Sequence, residues 1–170
     1  TDAIRLPAVS EQVDFEGELA VVIGRVAKGV ARADALGHVA GYTAMLDISA
    51  RDYQQRSGPC IAKSFDTFAP MGPVIVTSDE IQDPGNLDLQ TIVSGETMQH
   101  SNTRDLIFSV PELIEYISAG VTLEPGDVIT TGTPAGVGVA RKPQRFLRDG
   151  DVVRLEIAGI GALEVRVTRG

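Results

Sequence analysis

The fold is predicted mainly from one stretch, Asp14-Phe-Glu-Gly-Glu-Leu-Ala-Val-Val-Ile-Gly24. Its apolar part, residues 19–23, ends in β-branched side chains and stops at Gly24, which predicts a strand buried on both faces. Glu16 and Glu18 lie two residues apart directly before it, and in an extended chain both carboxylates project to the same face, where one cation can contact them. Acidic residues at a strand edge are usually a solvated surface, so this pair alone does not predict a metal site.

A third carboxylate makes the acidic pair more informative. Asp47 lies in a largely apolar extended segment, residues 42–49, where a carboxylate is costly unless it is paired or bound to metal. Arg51 and Asp52 follow closely, so a buried ion-pair cluster is the alternative interpretation. As a ligand set, the three carboxylates offer only hard oxygens, which favours Mg²⁺, Mn²⁺ or Ca²⁺ over Zn²⁺.

The remaining patterns predict a β-dominated α+β domain, a sandwich or rolled barrel with few short helices. Ser109 and Glu112 form a capping-box signal for a helix over residues 110–119. Helix formers closed by Gly41 predict a second helix over residues 31–40. β-branched and alternating residues predict a strand over 74–77 and hairpins over 87–100, turned at Ser94-Gly95, and over 153–167.

Composition limits the classes of partner. The chain has 170 residues, is 43% hydrophobic and carries a formal net charge of -8, which predicts one domain over residues 1–170 and no nucleic-acid partner. Its sequence has no run of 18 or more apolar residues, so no membrane partner is expected. Cys60 is the sole cysteine, so no intrachain disulfide can form, and a cytoplasmic location is expected. Thr1 is not a natural start and the candidate site begins at Glu16, so we expect an N-terminal lid or subdomain outside this sequence.

Four blocks in the same order resemble signature blocks of the fumarylacetoacetate hydrolase family, specifically its C-terminal catalytic domain. They are residues 14–24, residues 41–54, Lys63-Ser-Phe-Asp-Thr-Phe-Ala-Pro-Met-Gly-Pro73 and Thr131-Gly-Thr-Pro-Ala-Gly-Val-Gly138. The resemblance implies a mixed β-sandwich roll, usually a homodimer. It further implies that Glu16, Glu18 and Asp47 bind Mg²⁺ or Mn²⁺, with Ca²⁺ possible, and that Gln54, Lys63 and Thr133 face the substrate, Lys63 as the catalytic residue.

The resemblance also implies a reaction. The leading hypothesis is a hydrolase that cleaves a C–C bond in 2,4-dioxo acids such as acylpyruvates through a metal-stabilised enolate, as in the catabolism of aromatic compounds. Two alternatives use the same site: a 2-hydroxyhepta-2,4-diene-1,7-dioate isomerase or decarboxylase, and an oxaloacetate decarboxylase. A third, of another class, is a non-catalytic dimeric binding protein with a structural cation. Hydrolases of the family activate water with a His–Glu pair, which has no match here, so the general base stays unassigned.

Each candidate also has a simpler interpretation. By residue type alone, Lys63 is a surface lysine, Thr133 belongs to a glycine-rich turn and Gln54 is a partly exposed amide. We expect Arg51 to be a structural charge partner that holds the Asp47 segment. His38 and His100 lack a second ligand at metal-binding spacing, so both are expected to be scaffold residues.

Overall fold

Strands account for most of the regular structure, as the sequence predicts. The computed structural model describes residues 3–169. In chain order its strands are β1 (Ala3–Leu6), β2 (Val13–Asp14), β3 (Gly17–Ile23), β4 (Val39–Leu46), β5 (Ser49–Ala50), β6 (Met71–Thr77), β7 (Asp88–Val93), β8 (Glu96–Asn102), β9 (Val128–Thr130), β10 (Val152–Ile157) and β11 (Gly161–Arg169). The helices are α1 (Arg51–Lys63) and α2 (Val110–Gly120), with short 3-10 turns at Arg32–His38, Thr103–Asp105 and Gly138–Ala140.

One sheet has five strands in the order β1-β11-β10-β7-β8, antiparallel except for the β1–β11 pair. Both predicted hairpins are confirmed within it. In the C-terminal hairpin, Val153, Leu155 and Ile157 are buried while the residues between them are partly exposed. The other hairpin turns at Ser94 and Gly95, whose φ angles of 49° and 88° are those that a two-residue turn between twisted strands requires.

The second sheet has four strands in the order β6-β4-β3-β9. β3 is an inner strand and all seven of its residues are buried, which confirms the predicted burial on both faces. Its neighbour β4 runs antiparallel and places Leu46 opposite Gly17. The apolar faces of the two sheets share one core with the small β2–β5 pair, so the architecture is the β-dominated α+β sandwich that the sequence predicts.

The predicted helix over residues 31–40 is confirmed only as a shorter helix of the 3-10 type. The chain forms a 3-10 helix at Arg32–His38 and then enters β4. The carbonyl oxygen of His38 accepts hydrogen bonds from the backbone N–H groups of Gly24 (2.7 Å) and Arg25 (3.2 Å). This pairing with the chain that follows β3 draws the segment into the sheet, which overrides its helix propensity.

Helix α1 was not predicted, whereas α2 was. α1 is polar and is kinked at Gly58, whose φ of 80° and ψ of 172° are not helical, and Pro59 follows directly. In α2 the capping box is present: Glu112 accepts from the Ser109 backbone N–H at 2.8 Å and from its hydroxyl at 2.7 Å. None of the helices formed by residues 3–169 is both long and apolar enough to cross a membrane.

Gly17 is the point where the two sheets come closest around the predicted acidic pair. A Cβ atom at this position would lie 2.1 Å from the Thr91 hydroxyl oxygen and 2.9 Å from a Leu155 methyl group. The space opposite the two glutamates is therefore occupied by the other sheet, and glycine is required by packing.

We expect Gly17→Ala to destabilise the protein by about 1–3 kcal/mol, because the added methyl group overpacks this contact. Chemical denaturation followed by circular dichroism measures the change. Gly120→Ala is the control, because a Cβ there meets nothing within 4 Å. Equal stability of Gly17→Ala and wild type would contradict the close approach of the sheets.

Candidate metal centre

The structure brings the three predicted ligands together. One carboxylate oxygen from each of Glu16, Glu18 and Asp47 lies within 4.8 Å of the others. Glu16 and Glu18 flank the first residue of β3, and Asp47 follows the last residue of β4. The Asp47 backbone N–H donates to the Glu16 carbonyl oxygen at 2.8 Å, so sheet pairing itself sets the spacing of the triad.

Lys63 reaches the triad from the end of α1. Its ammonium nitrogen lies 2.7 Å from Glu16 Oε2 and also donates to Asp47 Oδ2. Burial alone would lower the pKa of Lys63, but the hydrogen bonds to Asp47 and Glu16 outweigh burial and raise it. With its side chain 29% exposed, Lys63 is a charged member of the site and not a free surface lysine.

Arg51 matches its predicted role only in part. It does not pair with Asp47; its Nε donates to Asp14 at 2.9 Å and its Nη2 donates to Glu16 at 2.6 Å. Asp52 hydrogen-bonds to the Ser10 hydroxyl instead of joining the cluster. Arg51 is therefore a structural charge partner, as predicted, but it lies at the start of α1 and holds the β2–β3 segment instead of Asp47.

Asp14 is a site residue that sequence reasoning missed. Its carboxylate is 0% exposed and accepts backbone N–H bonds from Gly138 (2.7 Å) and Val139 (3.0 Å) besides the bond from Arg51. The signal in the sequence that could have identified Asp14 is its position at the start of the acidic stretch, residues 14–24. Asp14 thus connects the end of the glycine-rich loop, residues 131–138, to Arg51, which in turn contacts Glu16.

Glu18 is the least compensated carboxylate of the triad. Burial raises its pKa to about 7; the backbone N–H of Gly132, 2.7 Å away, opposes this, while the charges of Asp47 and Glu16 add to it. Burial likewise raises the pKa of Asp47, although the hydrogen bond from Lys63 works against the rise. Both shifts arise because negative charges are crowded in a poorly solvated place.

The donor set fits a divalent cation. Four carboxylates meet here, those of Asp14 and the triad, and the side-chain cations that contact them among the described residues are Arg51 and Lys63. When all four carboxylates are ionised, two negative charges are left, which is the charge that a divalent ion neutralises. An all-oxygen set without thiolate or imidazole suits Mg²⁺, Mn²⁺ or Ca²⁺.

Gln54 and Thr133 lie around the centre, in contact with the residues that support the triad. Gln54 is exposed on α1 and its Oε1 accepts from Arg51 Nη1 at 3.2 Å. The Thr133 hydroxyl donates to the Gly17 carbonyl oxygen at 3.1 Å and accepts from the Gln99 amide at 2.8 Å. His38 and His100 do not belong to the carboxylate cluster.

A cavity of about 270 Å³ lies beside the same loop, lined by Gly132 and Thr133 among others. Leu19 also lines it, and Leu19 projects from β3 to the face opposite Glu18. None of the three triad residues lines the cavity, but its lining residue Gly132 donates to the Glu18 carboxylate.

Known proteins match this sequence over nearly its whole length. The family model described as fumarylacetoacetate (FAA) hydrolase C-terminal matches residues 1–168. The protein named oxaloacetate tautomerase fahd2, mitochondrial, from Xenopus laevis is 50% identical over 166 residues, which cover 96% of this chain and 52% of that protein. The chain thus spans about half the length of the curated relatives it matches.

Solved structures share the fold at high identity. The 2-hydroxyhepta-2,4-diene-1,7-dioate isomerase of Mycobacterium marinum is 49% identical with a TM-score of 0.90, covering 98% of this chain and 63% of that chain. Maleylpyruvate hydrolase of Sphingobium sp. SYK-6, solved with manganese (II) ion and pyruvate, is 42% identical with a TM-score of 0.89, covering 100% and 60%. The relatives' names describe three different reactions.

The raised pKa of Glu18 predicts a pH-dependent metal affinity. Because the cation binds the ionised carboxylate, the affinity for Mn²⁺ should be constant well above pH 7 and fall about tenfold per pH unit below it, as protons compete for Glu18. Calorimetric titrations between about pH 8 and about pH 6 measure this. Glu18→Gln should bind more weakly and show a flatter profile. A wild-type affinity that is constant across this range would contradict the assignment.

Proposed function

The chain belongs to the fumarylacetoacetate hydrolase family, and from this premise we propose that it is a divalent-metal enzyme that stabilises the enolate of a small 2-oxo acid. Its proposed reaction is keto–enol tautomerisation of an oxaloacetate-type dicarboxylate, the activity for which relatives of about 50% identity are named. The observation that carries the proposal is the Lys63 ammonium, which two carboxylates hold at the edge of the triad.

Glu16, Glu18 and Asp47 would hold the cation, with Mg²⁺ or Mn²⁺ as the proposed ion. Such an ion supplies Lewis-acid polarisation of a carbonyl oxygen. The presence of manganese in the structure of the maleylpyruvate hydrolase supports this choice of ion.

Lys63 is proposed to stabilise negative charge that develops on the substrate. Contacts with Glu16 and Asp47 keep its pKa above the ordinary lysine value, so it is a permanent cation at neutral pH. A fixed ammonium stabilises the negative charge that develops on the oxygen when a proton leaves the neighbouring carbon. For this reason we assign Lys63 to oxyanion stabilisation and not to proton abstraction.

Gln54 is proposed to bind the substrate through its amide NH₂. Arg51 donates to the Gln54 side-chain carbonyl oxygen, so the amide NH₂ is the part of Gln54 that is proposed to contact the substrate. Thr133 is proposed to contribute through the position of its loop, because its hydroxyl proton is directed to the Gly17 carbonyl oxygen.

Hydrolytic C–C cleavage of a 2,4-dioxo acid is the second candidate. The pyruvate bound in the structure of the related maleylpyruvate hydrolase favours it, because pyruvate is the fragment that leaves as an enolate in such a cleavage. Cleavage needs, in addition, a base that activates water, and this requirement separates the two candidates. The homodimer stays a prediction. The cytoplasmic location also stays a prediction, since the fahd2 relative is named as mitochondrial.

A substrate panel tests the function. With Mg²⁺ or Mn²⁺ present, we expect the protein to accelerate loss of the oxaloacetate enol absorbance without release of CO₂ or pyruvate. Pyruvate release from acylpyruvates would establish the hydrolase instead. Metal that raises the melting temperature while no dioxo or oxo acid is turned over would support the non-catalytic binding protein and contradict both enzymes.

Lys63→Met should lower kcat by about two orders of magnitude or more, because the developing oxyanion loses its fixed cation. Its affinity for Mn²⁺ should be equal to or higher than that of wild type, since two ligands no longer share their charge with an ammonium. Steady-state kinetics and calorimetry measure the two effects. Lys142→Met, an exposed lysine, is the control. Wild-type kcat in Lys63→Met would remove Lys63 from the mechanism.

Asp47→Ala should abolish metal-dependent activity, because the cation loses one of three ligands, while the strands around it stay folded. Circular dichroism checks the fold, and calorimetry with Mn²⁺ checks the site. Unchanged metal affinity in both Asp47→Ala and Glu18→Ala would show that the triad is not the metal site.

A further inference from the structure

The side chain of Gln99 reaches Gly17, the residue between Glu16 and Glu18, from the other sheet. It lies on β8, is 1% exposed, and none of the chemistry proposed above uses it. We propose that Gln99 is a positioning residue that fixes the metal-binding segment and the glycine-rich loop relative to each other. The part of this inference that concerns substrate rests on the proposed function, whereas the part that concerns metal does not.

Gln99 satisfies both ends of its amide across the two segments. Its Oε1 accepts the backbone N–H of Gly17 at 3.0 Å. Its Nε2 donates to the Thr133 hydroxyl at 2.8 Å and to the Pro134 carbonyl oxygen at 2.9 Å. One buried side chain therefore links β3 to the loop with three hydrogen bonds.

Gly17 is held on both sides by this arrangement. Its N–H donates to Gln99 and its carbonyl oxygen accepts from Thr133, 3.1 Å away, so Gln99, Thr133 and Gly17 form a closed ring of hydrogen bonds. Gly17 lies between the two glutamate ligands. The ring fixes the peptide groups from which both glutamate side chains project.

Close backbone approaches show that β8 is built to reach this point. A Cβ on Gly136 would lie 2.1 Å from the Met98 carbonyl oxygen, and a Cβ on Gly17 would lie 3.4 Å from Gln99 Oε1 itself. Gly136 thus makes room for the strand that carries Gln99, and the Gln99 side chain lies in contact distance of Gly17. A buried amide that loses its hydrogen-bond partners is costly. The arrangement that satisfies all three hydrogen bonds of Gln99 is therefore favoured over others.

Removal of a group that orients metal ligands without contacting the metal itself typically changes metal affinity or activity by about 10–100-fold. Gln99 orients Glu16 and Glu18 in this way through its hydrogen bond to Gly17. It also orients the loop that carries Thr133, which is proposed to border the substrate. Loss of the whole amide should therefore affect metal and substrate, and loss of its donor half should affect mainly substrate.

The test compares three variants of the full chain. Gln99→Met keeps the volume but removes all three hydrogen bonds, so its affinity for Mn²⁺ should fall about 10–100-fold in calorimetry. Gln99→Glu keeps the acceptor for Gly17 and places an oxygen against the Pro134 carbonyl. It should bind Mn²⁺ at least as tightly as wild type while KM for the turned-over acid rises about tenfold or more.

Gln90→Met is the matched control. It makes the same replacement on the neighbouring strand β7, where Gln90 faces away from the centre and donates to Glu156. Its Mn²⁺ affinity and KM should equal those of wild type. A purely structural role for Gln99 would lower the melting temperature without the split between metal affinity and KM.

The outcomes are distinguishable. Wild-type Mn²⁺ affinity in folded Gln99→Met, or an equal loss in Gln90→Met, overturns the proposal. If Gln99→Met does not fold, Gln99→Asn, which withdraws the amide by one methylene group, takes its place with the same expected loss and the same overturning result. If wild type turns over none of the acids, the proposed function fails, and the Mn²⁺ titrations alone still decide the role of Gln99.

Discussion

Four carboxylates converge beside the inner strand β3, and the protein has to offset their charge in a place where little water reaches them. Coulomb repulsion between such groups is strong when solvent is excluded, so they stay ionised only with partners nearby. Arg51 and Lys63, at opposite ends of α1, supply two positive charges, and backbone N–H groups of the glycine-rich loop supply further donors. The placement of the helix and of the loop follows from this requirement.

The local part of this arrangement could be predicted from sequence. Alternation of apolar residues identifies the C-terminal hairpin, and the uniform apolar run identifies β3, because these patterns depend only on neighbours along the chain. The acidic pair and Asp47 could be proposed as ligands for the same reason. The capping box of α2 is a signal within four residues and was also recognised.

The rest depends on contacts between distant segments. α1 was missed because Gly58 and Pro59 interrupt it and because only two of its residues, Arg51 and Ala62, are buried, so it shows no apolar stripe. The partner of Arg51 is Asp14, 37 positions earlier, and no local pattern distinguishes Asp14 from Asp47 as that partner. Gln99 is 82 positions from Gly17, so its hydrogen bond becomes visible only when the two sheets are packed.

The separation of metal chemistry from reaction type explains why relatives with the same domain bear different names. A triad that stabilises an enolate can serve a tautomerase, an isomerase or a hydrolase, and the choice among them depends on which group moves a proton or activates water. In this chain the triad, Lys63 and the ring around Gly17 form one connected unit. We infer that this unit is common to all three reactions and that surrounding residues select among them.

The central claim is that Glu16, Glu18 and Asp47 form one divalent-metal site. Anomalous diffraction at the manganese edge from crystals grown with Mn²⁺ tests it most directly. The account predicts one strong peak within about 2.6 Å of an oxygen from each of the three carboxylates. A well-ordered triad without such a peak, with Lys63 still bridging Glu16 and Asp47 at saturating Mn²⁺, would contradict it.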